Sequence, residues 1–189
     1  MRSSAILAAI ALLLVGAAGV TGEVVERILA VVNGRPLMLT ETLLVERLLG
    51  VDRQAALDSL IDERLMYREA SRLPQAAVTP EEEERAYASL VAKASGRTEG
   101  LPEGDLRLMA ARQAVVLKYV HFRFLPQVRI DDPALRRAYE GELAGRAGAP
   151  SFEEAAPALR QRLVDRDLGE KIEAWVRELR TAADVRYNP

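Results

Sequence analysis

The fold is decided by residues 24–39, which read VVERILAVVNGRPLML. Residues 24–32 are mostly apolar and rich in β-branched side chains, which predicts a short strand. Asn33-Gly34 follows, and this dipeptide is the strongest short signal for a hairpin because both turn positions take positive φ. Residues 35–39 are therefore the expected return strand, and Pro36 restricts that strand to the edge of a sheet.

A further strand is expected at the other end of the sequence, where apolar and polar side chains alternate over residues 183–187. A short strand is not stable on its own in water. We therefore expect this segment to pair with the strand at 24–32, which would bring the two ends of the fold together.

The chain between these strands is predicted to be helical. Thr40, Asp52, Thr79, Asp131 and Ser151 each precede a helical pattern as N-cap residues, and Gly50 ends the first helix. Pro157 lies inside the last predicted helix and indicates a kink or a separate first turn. The fold class is thus mostly α with short paired strands near both ends, and the expected helices cover residues 41–49, 53–73, 80–94, 105–125, 132–143 and 152–182.

Composition excludes several classes of function. The 189 residues include no cysteine and one histidine, which excludes thiolate nucleophiles, disulfides and multi-histidine metal sites. With 26 basic and 28 acidic side chains the net charge is −2, so no overall basic field favours nucleic acid. No phosphate-binding glycine loop is present. We therefore expect no catalytic residue, cofactor, metal, nucleic acid or small-molecule substrate.

Residues 1–22 have the three-part layout of a secretory signal peptide. Arg2 precedes an apolar stretch, and small residues allow cleavage after Ala18 or Gly22. The expected location of the mature protein is therefore the periplasm. The alternative is an uncleaved segment that anchors the protein in the inner membrane, facing the periplasm, because about 18 uncharged residues reach the lower limit for a spanning helix.

Several stretches of the mature chain, residues 23–189, resemble the SurA-like periplasmic chaperone family. The hairpin followed by LDSLIDERL, residues 57–65, is the most specific of them. The other matching stretches are 78–82, 152–163 and 175–187. The resemblance implies a helical peptide-binding domain built from residues 23–144 and a closing helix and strand at 151–189.

The resemblance also has one large departure. Members of the family carry parvulin-type prolyl isomerase domains of roughly a hundred residues between the fifth and the closing helix. In this sequence only residues 144–150 separate those helices. The resemblance therefore implies peptide binding without isomerase activity, and we expect no enzymatic function.

The fourth predicted helix is apolar on two sides. One face holds Leu106, Met109, Ala110, Leu117, Val120 and Phe124, and a second holds Leu108, Val115, Tyr119 and Phe122. Burial of both faces is the ordinary interpretation. The functional interpretation is that the second face, with flexible methionines beside it, lines a groove for client chains; the candidate peptide-binding residues are Met66, Leu108, Met109, Val115, Tyr119 and Phe122.

Two functions agree with these observations. The first is a periplasmic holdase that binds unfolded or outer-membrane-bound polypeptides, including secreted ones, and uses no cofactor. The alternative is a dedicated assembly or adaptor protein that docks one folded envelope partner through the same surface. Binding of many unrelated unfolded chains would separate the first from the second.

Overall fold

The structure is a computed structural model that describes residues 26–146 and 148–188. The predicted signal peptide at residues 1–22 lies outside the described residues. Within them the chain is mostly helical, as predicted. The helices are α1 (Leu39–Leu49), α2 (Arg53–Ala70), α3 (Pro80–Ala94), α4 (Glu103–Arg123), α5 (Asp132–Glu142) and α6 (Phe152–Thr181); the strands are β1 (Ile28–Val32), β2 (Arg35–Met38) and β3 (Val185–Tyr187).

The three strands form one antiparallel sheet in the order β2-β1-β3. Val32 pairs with Arg35 across the hairpin, and Ala30 pairs with Tyr187 of β3. The turn residues Asn33 and Gly34 have φ of 50° and 79°, which is the conformation that an Asn-Gly hairpin requires. Both the hairpin and the pairing of the terminal strands are therefore confirmed.

Most predicted helix starts are confirmed, because side-chain oxygens accept hydrogen bonds from the first turn. These caps are Asp52, Thr79, Asp131 and Ser151. Thr40 is an exception, since α1 begins at Leu39. The Thr40 hydroxyl instead donates to Glu26 Oε2 at 2.6 Å, and Glu41 Oε2 accepts from the Met38 N–H at 3.2 Å.

Other helix details also differ from prediction, including α4, which covers Glu103–Arg123 rather than residues 105–125. α2 ends at Ala70 rather than near Leu73, because a 3₁₀ turn over Pro74–Ala76 follows it. α6 runs through Pro157 without a separate first turn. Pro157 and Glu153 are both exposed, so water is able to satisfy the Glu153 carbonyl that loses its helical donor.

The core has three parts. The largest joins β1 and β2 to α1, α2 and α4. The second is built around Tyr119, Phe124 and Trp175, where α6 packs against α4. The third holds Leu135 of α5 against Leu159 and Leu163 of α6. The first half of α6 therefore packs on α5, and its second half closes the main body.

Among residues 26–146 and 148–188, none of the helices has both the length and the apolar character needed to cross a bilayer.

Candidate functional site

The six candidate peptide-binding residues do not form one surface. Tyr119 and Met109 are core residues with exposed fractions of 1% and 7%. Met66 and Val115 are partly buried against the cluster around Trp175. Only Leu108 and Phe122 are exposed, at 54% and 56%. The structure thus places the middle of the predicted second face inside the protein.

The closing helix explains this correction. The Trp175 ring stacks on Tyr119 with 5.0 Å between the ring centroids, and it lies 5.4 Å from Phe124. α6 therefore covers the part of α4 that the functional interpretation leaves open, which agrees with the ordinary interpretation for these positions. Leu117 differs from prediction in the opposite direction. It was predicted to lie on the buried face, and it is 57% exposed.

These positions predict a clear difference between two aromatic residues on α4. We expect Tyr119→Ser to lower the free energy of unfolding by about 3 kcal/mol, because it removes a buried ring from a packed cluster. Phe122→Ser should change it by less than about 0.5 kcal/mol, since the ring is largely in solvent. Urea unfolding followed by circular dichroism measures both, and equal effects would contradict the burial of Tyr119.

An apolar groove follows α3 and α4 and reaches α1 and α2 at one end. It consists of two adjoining cavities of about 410 and 330 Å³, which share Leu90, Lys93 and Gln113 in their walls. Ala86, Ala110, Ala114 and Leu117 line the first cavity. Val45, Leu48, Leu60 and Met109 line the second. We call the two cavities together the α3/α4 groove.

The small side chains of α3 and α4 explain why the groove exists. Ala110 and Ala114 are one helical turn apart on α4, and Ala86 lies on the facing helix. Alanine leaves space between two helices that larger side chains would fill. Along α4 the groove extends from Met109 to His121, a distance of about 18 Å at 1.5 Å per residue.

The rim of the groove is basic. Arg85 and Lys93 line it, and in the part of the chain that the structure describes neither forms an ion pair. Lys118 Nζ lies 2.8 Å from Glu82 Oε2, and this hydrogen bond lowers the pKa of Glu82 below its ordinary value. Arg85 and Lys93 favour a ligand that carries acidic groups beside its apolar part, although Arg85 also attracts Glu81 and Glu82 of its own helix.

A buried ion pair lies at the base of the groove. Glu63 lines the second cavity, and its Oε1 is 3.0 Å from Arg112 Nε. The two atoms are close enough for an ion pair, but their alignment does not make a hydrogen bond. Burial raises the pKa of Glu63, and the nearby Arg112 and Arg64 oppose that rise.

No group of three His, Asp or Glu residues in the described ranges is placed to hold a metal ion. His121 lines one end of the α3/α4 groove and is exposed. A scan against protein-family models and a search of the curated proteins found no match to the chain. The arrangement that the residues provide is an apolar groove with several basic side chains at its rim.

Proposed function

We propose that this protein is a polypeptide-binding chaperone that holds apolar segments of unfolded chains in the α3/α4 groove. The observation that carries the proposal is the groove itself, whose apolar walls extend for about 18 Å along α4 beneath basic side chains. An extended polypeptide advances about 3.3 Å per residue. The groove therefore fits a segment of about five residues.

The energetics favour transient holding over tight recognition. Burying two apolar side chains contributes about 4 kcal/mol before ordering costs are subtracted. A Kd near 1 μM needs roughly 8 kcal/mol. Binding through the groove alone is therefore weak and fast, and it tolerates many sequences, which are the properties that a holdase needs.

The same proposal includes location and clients. The signal-peptide layout of residues 1–22 and the resemblance to the SurA-like family support a periplasmic protein whose clients are unfolded outer-membrane or secreted polypeptides. An uncleaved signal would anchor it in the inner membrane facing the periplasm. No isomerase step is proposed, because only the short connection at residues 143–151 joins α5 to α6.

A holdase assay with two α4 variants tests the proposal. The purified protein should suppress light scattering when a urea-unfolded outer-membrane β-barrel protein is diluted into it. Leu117→Glu should raise the concentration needed for half-suppression about tenfold, which corresponds to about 1.4 kcal/mol, because it places a charge in the groove. Leu108→Glu is the matched control. Leu108 is equally exposed, and it lies on the opposite side of α4 from Leu117.

The possible results separate the hypotheses. Suppression with two unrelated clients, lost in Leu117→Glu and kept in Leu108→Glu, supports a holdase that uses the groove. Equal loss in both variants would show that the groove is not the binding site. If the wild-type protein suppresses no aggregation, the holdase is excluded, and a saturable complex with one folded envelope protein would identify an adaptor.

A further inference from the structure

A third cavity, of about 550 Å³, lies on the other side of the buried ion pair, between the β-hairpin and helices α1, α2 and α4. The hairpin contributes Asn33, Arg35 and Pro36 to its walls. The helices contribute most of the remaining polar side chains. These are Glu41, Arg64, Tyr67, Arg68, Ser71 and Arg112. We call this cavity the arginine cleft.

The charges in the arginine cleft are not balanced. Four arginines and one glutamate line it. Arg64 forms ion pairs with Glu41 and Glu63, and Arg112 forms one with Glu63. Arg35 and Arg68 form no ion pair with any residue that the structure describes. Carboxylates in the wall therefore compensate the charges of Arg64 and Arg112. The guanidinium groups of Arg35 and Arg68 are exposed and available to a ligand.

The neighbouring edge of the sheet does not favour an added strand. β2 is paired with β1 on one side only, but Pro36 has no N–H to offer on the free side. The Met38 N–H, the next donor on that side, is already bound by Glu41 Oε2 at 3.2 Å. Recognition at this cleft therefore depends on side-chain charge rather than on backbone pairing.

We propose that the arginine cleft binds an acidic polypeptide segment through two of its carboxylates, which Arg35 and Arg68 would hold. Guanidinium groups match carboxylates in shape and form two parallel hydrogen bonds with each. Tyr67 and Ser71 add hydroxyl groups to the same walls. The cleft volume of about 550 Å³ exceeds that of one small anion several-fold. This inference does not rest on the α3/α4 groove.

Direct binding of a labelled hexaglutamate peptide, measured by fluorescence polarisation in 50 mM salt, tests the proposal. We expect the wild-type protein to bind it and to ignore hexaglutamine. Arg35→Gln/Arg68→Gln should weaken binding at least tenfold. Arg129→Gln/Arg137→Gln is the matched control, because it removes the same charge from exposed arginines outside the cleft, and it should leave the Kd within twofold of wild type.

Other results would overturn the proposal. Equal weakening in both double variants would mean that net charge alone attracts the peptide. Binding of pyrophosphate at micromolar concentration, measured by titration calorimetry, without hexaglutamate binding, would make the cleft a phosphate site instead. Arg35 and Arg68 are exposed, so the urea midpoints of both double variants should match that of wild type. A lowered midpoint in Arg35→Gln/Arg68→Gln alone would assign these arginines a structural role and contradict the proposal.

Discussion

Replacing Arg112 by Met should lower the free energy of unfolding by about 3 kcal/mol at pH 7, because Glu63 would remain buried without its nearest cation. Arg112 Nε and Glu63 Oε1 are 3.0 Å apart, and both side chains are largely buried. Arg64 still lies 3.4 Å from Glu63, so part of the charge stays compensated. Urea unfolding followed by circular dichroism at 222 nm measures the change.

A double variant at positions 63 and 112 distinguishes loss of the Glu63–Arg112 ion pair from loss of packing around Arg112. Glu63→Met/Arg112→Met removes both charges and keeps apolar volume, so its stability should return to within about 1 kcal/mol of wild type. Arg107→Met is the control on the same helix, because Arg107 forms two ion pairs but is exposed, and its unfolding midpoint should hardly change. A double variant as unstable as Arg112→Met would contradict the ion-pair explanation.

The same pair makes stability depend on pH. Because burial raises the pKa of Glu63, the folded state holds this proton more tightly than the unfolded state does. Proton binding by Glu63 therefore stabilises the folded state most at pH values below the pKa of the unfolded state. This stabilisation is lost as the pH rises through the pKa of the folded state. In Arg112→Met the folded pKa rises further, so the deficit relative to wild type should be smaller at pH 4 than at pH 7. A deficit independent of pH would contradict this explanation.

Trp175→Ala should lower the free energy of unfolding by about 3–5 kcal/mol, because a buried indole would leave a cavity between α4 and α6. The ring stacks on Tyr119 and also contacts Phe124. Circular dichroism at 222 nm is the suitable probe, since the chain contains one tryptophan and the variant loses its fluorescence.

The control for Trp175→Ala is Phe122→Ala, which removes an exposed ring from the same part of α4 and should cost less than about 0.5 kcal/mol. Arg180 of α6 donates to the Asp58 carbonyl of α2 at 3.0 Å, so the second half of α6 is held at more than one point. A small effect of Trp175→Ala would mean that α6 unfolds separately from the body.

Local chemistry made much of the fold predictable. Asn33-Gly34 specifies its own turn, and Asp52 or Ser151 caps a helix through atoms three residues away. Thr40 is not the cap of α1, and its hydroxyl instead binds Glu26, which lies just before β1 and fourteen residues earlier in the chain. Prediction from sequence was therefore reliable for turns and caps, whose partners are close along the chain, and it also held for the pairing of β1 with β3.

The candidate site was harder to predict because its environment is set by helices that are far apart in the sequence. Whether Tyr119 faces a client or the core depends on Trp175, which belongs to a helix much later in the sequence. The α3/α4 groove needs the relative placement of two helices. The paired alanines Ala110 and Ala114 on α4 were its one local signal, and alanine is too common in helices to identify a groove.

The pairing of β1 with β3 has a consequence for how the protein is made. Ala30 meets its partner Tyr187 only after the chain through residue 187 has emerged from the ribosome and, if it is exported, from the translocation channel. Until then one edge of β1 exposes unpaired N–H and C=O groups, which are prone to aggregation. A nascent chain of this protein is therefore itself a substrate for the kind of holding that we propose the finished protein performs.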